Sequence, residues 1–133
     1  MGHFEASVVP HGQGHCPADA LLCTAGRVWG GIQGTYQFVM TGQYPSILLG
    51  GVPTVLFFTG RSTVLLKSGD EMTGTDTGSI DVNPANGGFA SLITFDGPPN
   101  SAPGSGGQIR LRGEFDPVAG TTGGDYVGRV CVP

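Results

Sequence analysis

The chain has 133 residues, which is enough for one core and short for two domains. Only 12% of its residues are charged, while 25 Gly and 10 Pro leave no Gly/Pro-free run longer than eight residues, so long helices are excluded. The net charge of −4, with the few basic residues scattered, offers no cationic groove for nucleic acid. No apolar run approaches the ~20 residues of a bilayer-spanning helix, so membrane insertion is not expected.

Residues 1–22, with GHFEASVVPHGQGHCPADALL, mix Gly, Pro and His without a sustained period and read as an irregular N-terminal arm. From Cys23 to Pro133 the pattern becomes regular and reads as one barrel domain. CTAGRVWG and GTYQFVMTG come first, followed by the loop QYPSILLGGVP. TVLFFTGRSTVLLKSG is next, a long strand in which Gly60 permits a bend or bulge. DEMTGTDTGSIDV and FASLITFDG precede the loop GPPNSAPGSGG, and QIRLRGEF and DYVGRVCV close the chain. Seven or eight strands joined mostly by short turns predict an all-β antiparallel barrel.

Alternation assigns the faces. Tyr36, Phe38 and Met40 share one side of their strand. Ser62, Val64 and Leu66 point inward, as do Ile109, Leu111, Gly113 and Phe115, opposite Gln108, Arg110, Arg112 and Glu114. On the last strand the inner set is Tyr126, Gly128, Val130 and Val132. In DEMTGTDTGSIDV the outer face is wholly polar, which sends Met72, Gly74, Asp76, Gly78, Ile80 and Val82 inward. A carboxylate therefore faces the core between two glycines, and the absent side chains on either side are expected to open space beside it.

The stretches CTAGRVWGGIQGTYQF, FFTGRSTVLLKSGD with TGTDTGSIDV, and GSGGQIRLRGEFDPVAGTTGGDYVGRVCVP resemble small bacterial proteins that share the barrel of allene oxide cyclase and the plant dirigent proteins. The resemblance covers about four-fifths of the chain. It implies an eight-stranded antiparallel barrel, dimeric or trimeric in its relatives, with an apolar cavity at one mouth. Relatives of known activity steer the cyclisation or coupling of a reactive hydrophobic intermediate without a redox cofactor or metal. Asp76 is the one plausible counterpart of the dirigent aspartates, and the catalytic residues of allene oxide cyclase find no match here.

Asp76 is accordingly the first candidate catalytic group, because a desolvated carboxyl has its pKa raised toward the range of a general acid. The plainer alternative is a carboxylate that caps a bulge or pairs with an Arg. Tyr36 and Tyr126 are candidate assistants, since a phenol at a cavity wall can orient a carbonyl or stabilise an oxyanion. Phe38, Met40, Phe58, Met72, Ile80, Ile109, Leu111 and Phe115 are the expected ligand-binding wall.

Closing the barrel would make Cys23 and Cys131 neighbours, so a Cys23–Cys131 disulfide is expected, with Cys16–Cys131 and Cys16–Cys23 as competitors. His11, His15 and Cys16 in HGQGHC have a spacing that could serve Zn²⁺ if His3 or Glu5 came close, but on a Gly/Pro-rich arm no metal is expected. No nucleophile elbow and no phosphate cradle is present. Trp29, which shares a face with Arg27 and Cys23, is an interface candidate.

The expected partner is a small hydrophobic ligand in the lumen, with self-association into a dimer or trimer as in the relatives and no cofactor. The alternative is a secreted, disulfide-closed interaction domain with a filled core and no substrate. Secretion suits the cysteines, with a cytoplasmic location as the other reading.

Overall fold

Short alternating segments punctuated by Gly and Pro can satisfy their backbone only by pairing with one another, and that is what they do. The computed structural model describes residues 1–46, 48–49, 52–82 and 87–133, with no helix among them. The strands are β1 (Gly2–Val8), β2 (Cys23–Gly30), β3 (Gly34–Pro45), β4 (Leu48–Leu49), β5 (Val52–Pro53), β6 (Val55–Leu66), β7 (Glu71–Asp81), β8 (Gly88–Phe95), β9 (Gly106–Asp116) and β10 (Thr121–Cys131). Eight of them close into one antiparallel barrel in the order β1-β10-β9-β8-β7-β6-β3-β2, and β4 and β5 form a separate two-stranded ribbon.

Closure depends on a strand that the sequence reading placed in an irregular arm. Gly2–Val8 is a full barrel strand, paired with β10 from Gly2↔Tyr126 to Ser7↔Thr121 and with β2 from Gly2↔Gly30 to Val8↔Thr24. Gly2, Phe4 and Ala6 are buried while His3, Glu5 and Ser7 are exposed, so β1 obeys the same alternation as the other strands. Residues 9–22 then run as a strap back to β2. The His15 ring bonds the Phe38 carbonyl at 3.0 Å, and the Met40 amide donates to the Leu22 carbonyl at 2.8 Å.

The cysteine expectation is corrected. Cys16 and Cys23 form the disulfide, with Cα atoms 5.7 Å apart, and Cys131 is free and exposed. β1 lies between β2 and β10, so the strands carrying Cys23 and Cys131 never touch. The two residues also lie toward opposite ends, because Cys23 lies beyond the Val8↔Thr24 pair whereas Cys131 lies five residues past Tyr126, which faces Gly2. The local bond instead clips the strap to the barrel.

Two further details refine the strand readings. The register shift falls on β3, between Met40 and Gly42, and Gly60 stays regularly paired opposite Asp76. Trp29 is partly exposed beside His3, and the Arg27 guanidinium lies 5.6 Å from the Trp29 ring centroid.

One end of the barrel is closed by packed side chains. Met72 has no exposed surface, and Ile32, Leu66 and Phe95 are buried around it. The segment after β8 crosses the outer wall near this end. The Asp96 amide bonds the Thr73 carbonyl at 2.7 Å, the Thr73 amide bonds Ser101 Oγ at 2.8 Å, and the Arg61 guanidinium pairs with Asp96 at 2.6 Å. Val82, assigned inward, is half-buried, whereas Val132, also assigned inward, lies past the end of β10 and is exposed.

Candidate functional site

Eight antiparallel strands make a barrel whose interior is just wide enough to be filled by side chains or to hold one small ligand. In this barrel the filling is uneven. Below the middle the core is solid, and above it lies a cavity of about 100 Å³. The space runs from Tyr126, Ile109 and Val64 up to Leu22, Met40, Phe58, Ile80, Phe89 and Phe115, most of which are half-exposed.

Seven of the eight expected wall residues line this cavity: Phe38, Met40, Phe58, Ile80, Ile109, Leu111 and Phe115. Met72 does not. It is fully buried in the packed floor, paired with Val64 two residues below the level of Gly74. The wall also contains Phe4, Thr24, Phe89, Ser91, Ile93 and Thr122. Phe4 entered with the unrecognised strand β1, and its ring packs edge-on against Tyr36 and Phe89 with centroids 6.3 and 6.0 Å away.

Asp76 sits on this wall and is almost fully buried, at 4% exposure. It lies between Gly60 of β6 and Ile93 of β8. Ser62 Oγ donates a hydrogen bond to Asp76 Oδ2 at 2.9 Å, and Oδ1 is buried with no hydrogen-bond partner among the described residues. Burial raises the Asp76 pKa to about 7, against the opposing effects of the Ser62 hydroxyl and the Arg61 charge. Near neutrality this group is therefore divided between a carboxylic acid and a carboxylate.

The glycines beside Asp76 do not open space for a ligand. A side chain at Gly74 would run into Ile93, one at Gly78 into the Phe58 ring, and one at Gly60 into the Phe38 ring. The vacated positions are filled by neighbouring rings and methyl groups leaning over bare backbone. Phe38 and Phe58, stacked edge-on at 6.0 Å, form an aromatic wall above the carboxyl. The cavity next to Asp76 is bounded by these groups rather than created by the glycines.

The two tyrosines part company. Tyr36 is buried at the cavity wall with Thr24 bonded to its hydroxyl, and burial pushes its phenol well above the ordinary value, with the nearby Asp76 charge adding to the rise. It stays protonated and can only donate or accept a hydrogen bond as a phenol. Tyr126 turns its ring to the cavity but its hydroxyl to the floor. That hydroxyl accepts from the Ile32 amide at 2.8 Å and lies 3.0 and 3.1 Å from the Trp29 and Ile32 carbonyls. The assistant role expected for Tyr126 is thus replaced by a structural one, since its polar atom is already satisfied.

The HGQGHC segment holds no metal-like arrangement. Cys16 is consumed by the disulfide, His15 bonds a backbone carbonyl, and His3 pairs with Asp125 at 2.5 Å. Among the described residues there is no group of three or more His, Cys, Asp or Glu placed to share an ion. Ser62 was assigned inward, but its bond to Asp76 was not anticipated. Register was the missing signal, because Ser62↔Gly74 and Gly60↔Asp76 are successive inward pairs on β6 and β7.

No protein-family model, no curated protein and no solved structure matches this chain.

Proposed function

We propose that the barrel receives a small hydrophobic molecule, or the apolar head of a larger one, in its lumen, with Asp76 as the polar anchor. The observation that carries this reading is the buried, unpartnered Oδ1 of Asp76, a residue that lines a largely apolar cavity. A buried polar atom of this kind is costly unless something bonds to it. The chemistry on offer is a single proton from Asp76 and a phenol from Tyr36, within walls that hold a substrate in one conformation. A cofactor-free cyclisation or isomerisation of a reactive intermediate is the reaction class that such a site suits, and it is the class suggested by the resemblance to allene oxide cyclase and dirigent proteins.

The cavity volume favours a second reading. Ligand pockets are typically ~300–1,000 Å³, so about 100 Å³ suits a disulfide-clipped structural or interaction domain better than a carrier of large ligands. Chemical-shift titration of the isotopically labelled protein with small apolar molecules separates the two. The lumen reading expects saturable shifts at Phe38, Phe58, Ile93 and Leu111. Shifts confined to the outer surface, or none at millimolar probe, favour the filled domain. The Cys16–Cys23 bond is consistent with an oxidising compartment, and secretion is part of this proposal.

A further inference from the structure

We propose that the molecule this lumen accepts is uncharged and presents a hydrogen-bond acceptor to Asp76, such as the oxygen of a ketone, aldehyde, ester or lactone, and that ammonium and carboxylate ligands are refused. The inference rests on the lumen-binding reading above and narrows it to a chemical class.

The polar atoms facing the cavity decide the matter. Asp76 Oδ2 accepts the Ser62 hydroxyl at 2.9 Å, and wherever that bond is kept the proton of the neutral acid sits on Oδ1. Oδ1 has no partner among the described residues and is sealed from solvent. The acid therefore holds, on a residue that lines the cavity, an O–H donor with no acceptor among the described residues; the packed wall covers it, and a ligand must part that wall slightly to reach it. A ligand oxygen supplies the missing acceptor without bringing a charge out of water. Tyr36, which burial keeps protonated, offers a second donor at the same wall.

Charged ligands fail on the same inventory. No Lys, Arg or His lines the cavity, so a ligand carboxylate would meet Asp76 without a counter-charge. An ammonium would bring three N–H donors to one free carboxylate oxygen and the neutral hydroxyls of Thr24, Ser91 and Thr122 on a largely aromatic and aliphatic wall, where desolvating both ions outweighs their attraction. Burial, which holds Asp76 neutral below about pH 7, acts in the same direction. The charged or titratable groups that act on Asp76 are few. Arg61 on β6 favours ionisation from the outer surface, Tyr36 on β3 is a neutral phenol, and β8, GFASLITF, carries no titratable side chain.

The cavity limits the probes to small rings. Cyclopentanone, its shape-matched alkene methylenecyclopentane, and cyclopentylamine are titrated into the labelled full chain at pH 5.5 and 8.5. At pH 5.5 the ketone is expected to bind about tenfold tighter than the alkene, the ratio that one net hydrogen bond allows. At pH 8.5, with Asp76 ionised, that advantage disappears. Asp76→Asn, which keeps an N–H donor, should retain the preference at both pH values, and Asp76→Leu should abolish it. Equal binding of ketone and alkene at the lumen, or tighter binding of the amine, overturns this inference while leaving lumen binding intact. If none of the three shifts a lumen resonance, lumen binding itself fails, and the inference with it.

Discussion

At the scale of single residues, the environment of Asp76 opposes its ordinary ionised state. The carboxyl is buried among apolar walls with one oxygen bonded to Ser62, and its pKa moves from 3.8 to about 7. The sign of the linked stability follows from proton counting. Between those two values the folded chain holds a proton that the unfolded chain has released, so stability falls as pH rises from about 4 to about 7 and is flat above. Fully expressed, the loss is on the order of 4 kcal/mol. Asp76→Asn removes the titration, so the variant should gain on the parent as pH rises and be more stable than it at pH 8 by a few kcal/mol. Denaturant midpoints of both proteins at pH 4.5, 6 and 8 check this, and a parent-to-variant difference that does not change with pH would refute it. That Asp76 points inward could be read from the sequence, because the outer face of its strand is polar without a break. Its Ser62 partner and the rings filling the space over Gly74 and Gly78 could not, because both depend on how β7 is registered against β6 and β8.

At the scale of elements, most of the barrel was legible because β6 and β9 alternate over long stretches with large apolar residues on one side, and β7 keeps an unbroken polar outer face. β1 was not. Its inner face carries Gly2, Phe4 and Ala6, a single large apolar residue, and its partners lie at distant points of the chain. A small residue is required at Gly2, since a side chain there would collide with the Trp29 carbonyl and the Tyr126 ring, and Gly26 of β2 is equally constrained by the backbone of Glu5 and Ala6. The identity of β1 comes from the two open strand edges it satisfies rather than from its own hydrophobicity. Missing β1 also misassigned the disulfide, because β2 and β10 look adjacent only if nothing lies between them. The first basic residue is Arg27, so the tryptic peptide Met1–Arg27 should contain both Cys16 and Cys23 and weigh two hydrogens less before reduction than after. Cys131 should be alkylated without reduction. The bond closes an eight-residue loop, and loop-closure entropy gives it roughly 2.5 kcal/mol of stability. Cys16→Ser is therefore expected to lower the denaturation midpoint by a corresponding amount, and an unchanged midpoint would mean that the crosslink adds nothing to the stability of the fold.

At the scale of the whole molecule, the barrel is closed by joining the two ends of the chain, and Tyr126 is the residue that fastens the joint. Its ring lies against Gly2 of β1, where any side chain would strike it, and its hydroxyl reaches across to the β2–β3 turn at Trp29 and Ile32. One side chain on β10 thus holds β1 and β2 in place at the packed end. Tyr126→Phe leaves the buried Ile32 amide without its partner, a loss expected to cost about 1–3 kcal/mol. The kinetics should show where closure falls in folding. Pairing β1 with β10 requires nearly the full chain to form its largest loop, a cost met late in topologies dominated by distant contacts. Contacts made late are absent from the transition state, so the variant should unfold faster by about the whole equilibrium loss while folding at nearly the parent rate. Chevron plots of the two proteins separate the limbs. A folding limb slowed as much as the stability falls would instead place terminal closure in the nucleus, with β1 organising the barrel from the outset rather than sealing it.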